Sequence, residues 1–63
     1  MMITRQSMFT GNVHSIDIDV TEEQLAAWQN GQLIQRAMPN LEPWEREFIK
    51  TGVTAEEWEE TFG

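Results

Sequence analysis

Residues 13–24, VHSIDIDVTEEQ, decide the fold class, because the chain changes periodicity inside them. His14, Ile16, Ile18 and Val20 alternate with Ser15, Asp17 and Asp19, which sends the apolar side chains to one face of a strand and the carboxylates to the other. At Thr21 the alternation stops. Thr21 followed three residues later by Gln24 is a capping-box pattern, in which each residue's side chain accepts a hydrogen bond from the other's backbone amide. A half-buried strand that runs straight into a capped helix predicts an α+β domain.

N-terminal to this stretch, Met2 onward carries β-formers with no helical period, interrupted by the turn residues Thr10-Gly11-Asn12. Residues 1–20 are therefore expected to form a β-hairpin. A three-residue loop Gly11-Asn12-Val13 would set Met8 opposite Ile16 and Arg5 opposite Asp19, an apolar pair and an ion pair. A two-residue Gly11-Asn12 loop would place Arg5 opposite Ile18, so the longer loop is the preferred register.

C-terminal to it, residues 21–63 predict three to four short helices with tight punctuation. The first carries Leu25 and Trp28 and exits at Asn30-Gly31. A second, Gln32 to Met38, stops near Pro39, and a corner at Asn40-Leu41 leads to a third that starts around Glu42 with Pro43 in its first turn. Gly52 ends that helix, and Thr54 with Glu57 forms a second capping box for a last one with Trp58 and Phe62 four residues apart on one face. No linker, repeat or low-complexity run divides the chain, so it reads as a single domain over 1–63.

A domain of 63 residues gains only ~3–5 kcal/mol of net stability from one core. With no cysteine, neither a disulfide nor a thiolate metal site can add to it. Eleven acidic residues against four basic ones give a net charge of −7, which repels phosphate backbones and anionic lipid and favours basic protein surfaces. Direct nucleic-acid binding is disfavoured. No apolar run approaches a membrane span, and the N-terminus lacks the apolar stretch of a signal peptide, so the expectation is a soluble intracellular protein.

The second half carries a resemblance. LIQRAMPNLEPWEREFIKTGVTAEEWEETF (residues 33–62), with its EFI-x-TG helix stop and T-x-EEW final helix, resembles small uncharacterised proteins encoded by tailed bacteriophages, and the likeness extends from about Thr21 to the end. The chain departs from that pattern at Glu42, Pro43 and Trp44, where a small polar cap and acidic residues are more usual. The resemblance implies a bacterial host cytoplasm, or alternatively a virion, and an accessory or structural role. It implies no catalytic residues.

Among candidate sites, His14 with Asp17 and Asp19 is no metal centre, because strand alternation sends the imidazole away from both carboxylates. His14 is expected at the rim of the core, and Arg5 in a cross-strand ion pair of small energetic value. Trp28 and Trp58 are expected in the core, by their spacing from other apolar residues. Trp44, in the first turn of its helix, either packs over Phe48 four residues on or, where it is exposed, is a candidate interface anchor. Glu56, Glu57, Glu59 and Glu60 around Trp58 form a candidate acidic face for a basic partner, weighed against a merely solubilising role. Paired carboxylates can perform acid–base chemistry only in a cleft with one pKa raised, which a terminal exposed helix does not supply. No nucleophile with a base, phosphate-cradling loop or metal quartet is present, so neither an enzyme nor a bound cofactor is expected.

The functional expectation is a small acidic accessory protein that binds and modulates another protein through Trp44 and the acidic C-terminal face. The alternative is a virion component that self-associates through the hairpin, because a two-stranded ribbon leaves edges that a second copy can pair.

Overall fold

The computed structural model describes residues 1–63. Its elements run β1 (Met2–Gln6), β2 (Val13–Asp17), α1 (Glu22–Gln29), α2 (Ile34–Ala37), α3 (Pro43–Thr51) and α4 (Ala55–Phe62), with the two strands antiparallel. The expected α+β architecture, an N-terminal hairpin followed by short helices, is the observed one.

The hairpin register differs from both expected alternatives. Ile3 pairs with Ile16 and Arg5 with His14, so the connection is a six-residue loop over residues 7–12 rather than a tight turn. Backbone and side-chain hydrogen bonds hold this loop. The Ser7 amide donates to Asn12 (2.8 Å) and the Gly11 amide to Ser7 (2.8 Å), while the Met8 amide reaches across to the Thr51 carbonyl at the end of α3 (3.2 Å). Ser7 is itself buried, and its hydroxyl accepts from the amides of Phe9 and Thr10. Hairpin length was thus decided by tertiary contacts with α3, which turn chemistry alone does not encode.

Arg5 does not form the expected ion pair. Its guanidinium donates to the carbonyls of Ile49 (3.1 Å) and Thr4 (2.9 Å), and so ties β1 to the last turn of α3. Asp17 instead accepts from the Met1 ammonium at 3.0 Å. The alternation of β2 holds in its burial: His14 and Ile16 are half-buried and Ser15 and Asp17 exposed. Ile18 and Val20 lie beyond the ladder yet keep the inward face, and both are buried.

The core is Ile3, Ile18, Val20, Ala37, Met38, Leu41, Phe48 and Ile49, with Ile16, Leu25, Ala27, Trp28 and Ile34 packed around it. Phe48 and Met38 are fully enclosed at 0% exposure. Trp28 is half-buried rather than central. The second helix is a single turn, shorter than the Gln32–Met38 expectation, and it leaves Leu33 exposed as its N-terminal flank.

The corner between α2 and α3 is braced by Arg46, whose Nη1 donates to the carbonyls of Leu41 (2.6 Å) and Met38 (3.3 Å). Asn40 accepts from Gln24 and donates to the Asp19 carbonyl, so it joins this corner to the strand-to-helix junction. The Thr21/Gln24 capping box is present in full. At α3, Glu45 accepts from the Glu42 amide (2.8 Å), and Pro43 occupies the first turn.

Candidate protein-binding surface

α4 starts as its sequence demands: Thr54 Oγ1 accepts from the Glu57 amide and Glu57 Oε1 accepts from the Thr54 amide, each at 3.1 Å. That reciprocal cap turns the Glu57 side chain back toward the N-terminus of the helix and away from solvent. Glu57 is only 6% exposed, so it does not belong to the expected solvent-facing acidic patch. Its second oxygen, Oε2, accepts from Thr10 Oγ1 at 2.6 Å and lies 3.0 Å from His14 Nε2. The carboxylate thereby bridges the hairpin loop, β2 and the N-terminus of α4.

These donors favour the charged form. The Thr10 hydroxyl contributes most; burial opposes it, and His14, the Thr54 amide and Ser7 add to the lowering, so the Glu57 pKa falls from 4.5 to about 2. In the unfolded chain Glu57 takes up its proton at a higher pH than in the folded one. Its stabilisation is therefore complete above about pH 4.5 and is lost as pH falls through about 2. Melting temperatures measured from pH 5 downward, at about half-unit steps, are expected to fall across this window. Glu57→Gln is expected to start lower and decline less. Parallel decline of both proteins would remove Glu57 as the source.

The same cap leaves Glu56, Glu59 and Glu60 exposed. Glu56 sits in the first turn, where a carboxylate complements the helix dipole; Glu59 and Glu60 lie in the second half and oppose it. Their presence is not accounted for by local helix stability.

Trp58 is not a core residue. It is 45% exposed, in a surface stack with two other rings: its centroid lies 4.8 Å from Phe62 and 5.9 Å from Phe9, the latter with planes only 25° apart, while Phe9 and Phe62 meet edge-on at 5.6 Å. The T-x-EEW-xxx-F spacing made the Trp58–Phe62 pair readable. Phe9 was not readable as its partner, because it arrives on the six-residue loop whose placement depends on Ser7, Thr10 and Glu57. Phe62, at 65% exposure, closes the stack toward solvent.

Trp44 lies at the surface, at 38% exposure, and its indole N–H donates to Glu42 Oε2 at 2.9 Å. Between α3 and α4 an open groove of about 460 Å³ is lined by Trp44, Trp58, Pro43, Val53, Glu47 and Glu59, among others. Trp58 therefore belongs both to the aromatic stack and to the groove. Of the anticipated residues, Trp44 and Glu59 meet at this groove and Glu56 and Glu60 stand outside it, whereas Glu57 is a structural brace. No three His, Asp or Glu side chains converge as a metal site requires, and no helix is long and apolar enough to cross a membrane. Compared with family models, curated proteins and solved structures, the chain matches none of them significantly.

Proposed function

We propose that this chain acts by binding a protein with a basic surface, using the Phe9–Trp58–Phe62 stack as the apolar anchor and Glu56, Glu59 and Glu60 as the charged surround. The observation that carries the reading is the exposed three-ring stack on a helix whose solvent-facing charges are all negative. Large aromatic side chains dominate interface energies when a partner desolvates them, and charge of one sign around them steers a complementary surface into place. On the C-terminal resemblance, the partner is a protein of a bacterial host, and binding modulates or inhibits it without any chemistry on this chain.

The test is affinity capture from bacterial lysate with three forms of the tagged protein: wild type, Phe9→Ala/Phe62→Ala, and Glu59→Lys/Glu60→Lys. The expected result is one basic protein held by the wild type and bound about tenfold or more weakly by each variant, with weakening in added salt and unchanged circular-dichroism melts for the charge reversal. Retention of the same proteins by all three forms overturns the reading.

A second reading, a virion assembly component that self-associates through the hairpin, is favoured by the outer edge of β2. Met1 and Ile18 exchange two backbone hydrogen bonds, and the register carries the inward-bonding positions along Ile16, His14 and Asn12. Val13, Ser15 and Asp17 therefore point their backbone N–H and C=O groups away from β1. A second copy about a two-fold axis at Ser15 would pair these groups symmetrically, Val13 opposite the other copy's Asp17. Light scattering separates the readings: a mass of 7.3 kDa supports the partner binder, and a discrete dimer or ring supports self-assembly.

A further inference from the structure

We propose that the groove between α3 and α4 holds the guanidinium of an arginine side chain presented by the basic partner; this inference rests on the protein-binding reading above and names what its acidic, aromatic face recognises. Three features of the groove converge on that chemistry. Two of its lining residues, Trp44 and Trp58, are indoles, the ring with the strongest attraction for a cation placed over its face. Two more, Glu47 and Glu59, are carboxylates. Its volume of about 460 Å³ is open to solvent and within the range of small-ligand sites, large enough for a long side chain with part of its backbone.

The groove is also held in shape before any ligand arrives. The hydrogen bond from the Trp44 indole to Glu42 restrains that ring, and Phe9 and Phe62 pack against Trp58. Preorganised rings lose little freedom on binding. The Gly52 helix stop and the Thr54/Glu57 cap set the short turn that leads from α3 into α4. Glu59 makes no ion pair, and Glu47 has only the Lys50 ammonium at 3.7 Å on an exposed flank. The groove thus carries the unpaired negative charge of Glu59 in a lining that includes the apolar Pro43 and Val53.

Arginine suits this combination better than lysine. Its planar guanidinium stacks on an indole face while its fork of N–H donors reaches a carboxylate at the side, and it gives up its weaker hydration more readily than an ammonium does. The aliphatic stem would lie against the apolar part of the lining.

The three tryptophans make the proposal directly measurable, because each gives its own indole N–H signal in a nitrogen-15 correlation spectrum, and Trp28, on α1, serves as an internal reference. The wild-type protein is titrated with a short synthetic peptide of glycine and alanine bearing one arginine, and with twins carrying citrulline or lysine at that position. The expected result is that the Trp44 and Trp58 signals move together along one saturating curve while Trp28 stays still. The citrulline twin is expected to bind about tenfold more weakly, as is the arginine peptide to Trp44→Ala or Glu59→Gln. Absence of a saturable shift, equal movement of Trp28, or equal affinity for the citrulline peptide overturns the site, and equal affinity for the lysine peptide overturns its assignment to guanidinium. If the captured partner is lost by Phe9→Ala/Phe62→Ala but retained by Trp44→Ala, the groove inference fails while the protein-binding reading stands. If the arginine peptide binds the groove and no partner depends on the aromatic stack, the failure lies with that reading.

Discussion

Phe48→Ala is expected to leave the chain largely unfolded at room temperature. Phe48 is fully enclosed in the cluster that joins β1, the strand-to-helix junction, α2 and α3, so its removal leaves a cavity inside that cluster. Truncating a buried phenylalanine costs about 3–5 kcal/mol, through lost transfer energy and the cavity left behind. That equals the whole net stability of ~3–5 kcal/mol to be expected of a single core this small. Urea unfolding followed by circular dichroism checks it, with Phe62→Ala as the comparison. Phe62 is 65% exposed, and its loss should cost under about 1 kcal/mol. Similar stability of the two variants would mean that the core is not where the packing puts it.

Gly52→Ala carries the second large effect, and its cause is backbone geometry. Gly52 ends α3 with φ of +77°, and a methyl group there would run into the Gln6 carbonyl and the Ser7 amide at the end of β1. The left-handed conformation alone costs a non-glycine residue roughly 1–2 kcal/mol. The collision adds to this, because both obstacles are main chain and cannot rotate aside. The expected loss is about 3 kcal/mol or more, with the Met8–Thr51 hydrogen bond disrupted. Gly31→Ala is the control: φ is also positive there, at +105°, but nothing lies within 4 Å of the added carbon. Equal losses at the two positions would show that conformation alone, and not the close approach of β1 to α3, explains Gly52.

Local punctuation was legible from residue types alone. Thr21 with Gln24, Thr54 with Glu57, Pro43 in a first turn and Gly52 at a helix end each act over three or four residues of chain, so the hydrogen bonds or dihedral angle they impose are encoded where they occur. The period-two run from His14 to Val20 was legible for the same reason: a strand that packs on one side declares its buried face in its own spacing.

The candidate site was less legible. A first-turn position allows Trp44 either to face solvent or to pack over Phe48, whereas the helix itself puts Glu56, Glu59 and Glu60 at the surface. Glu57 and Trp58 were misplaced together, for one reason. A capping glutamate can face water or be enclosed, and a tryptophan on an amphipathic helix can face inward or cover a neighbouring loop. What chooses between them is the hairpin, more than forty residues earlier in the chain: its loop over residues 7–12 brings Thr10 to the carboxylate and Phe9 to the indole, and β2 brings His14 to the carboxylate.

By itself, then, the sequence determined the class of the fold, the punctuated ends of α1, α3 and α4 and the inward face of its second strand, because each rests on interactions between near neighbours in the chain. Only the tertiary structure decided the hairpin register, the enclosure of Glu57 and the aromatic surface of Phe9, Trp58 and Phe62. Each of these depends on which of several locally acceptable arrangements also satisfies a distant partner: the carbonyls of Ile49 and Thr51 for the hairpin, the Thr10 hydroxyl for the carboxylate, and the Phe9 ring for the indole.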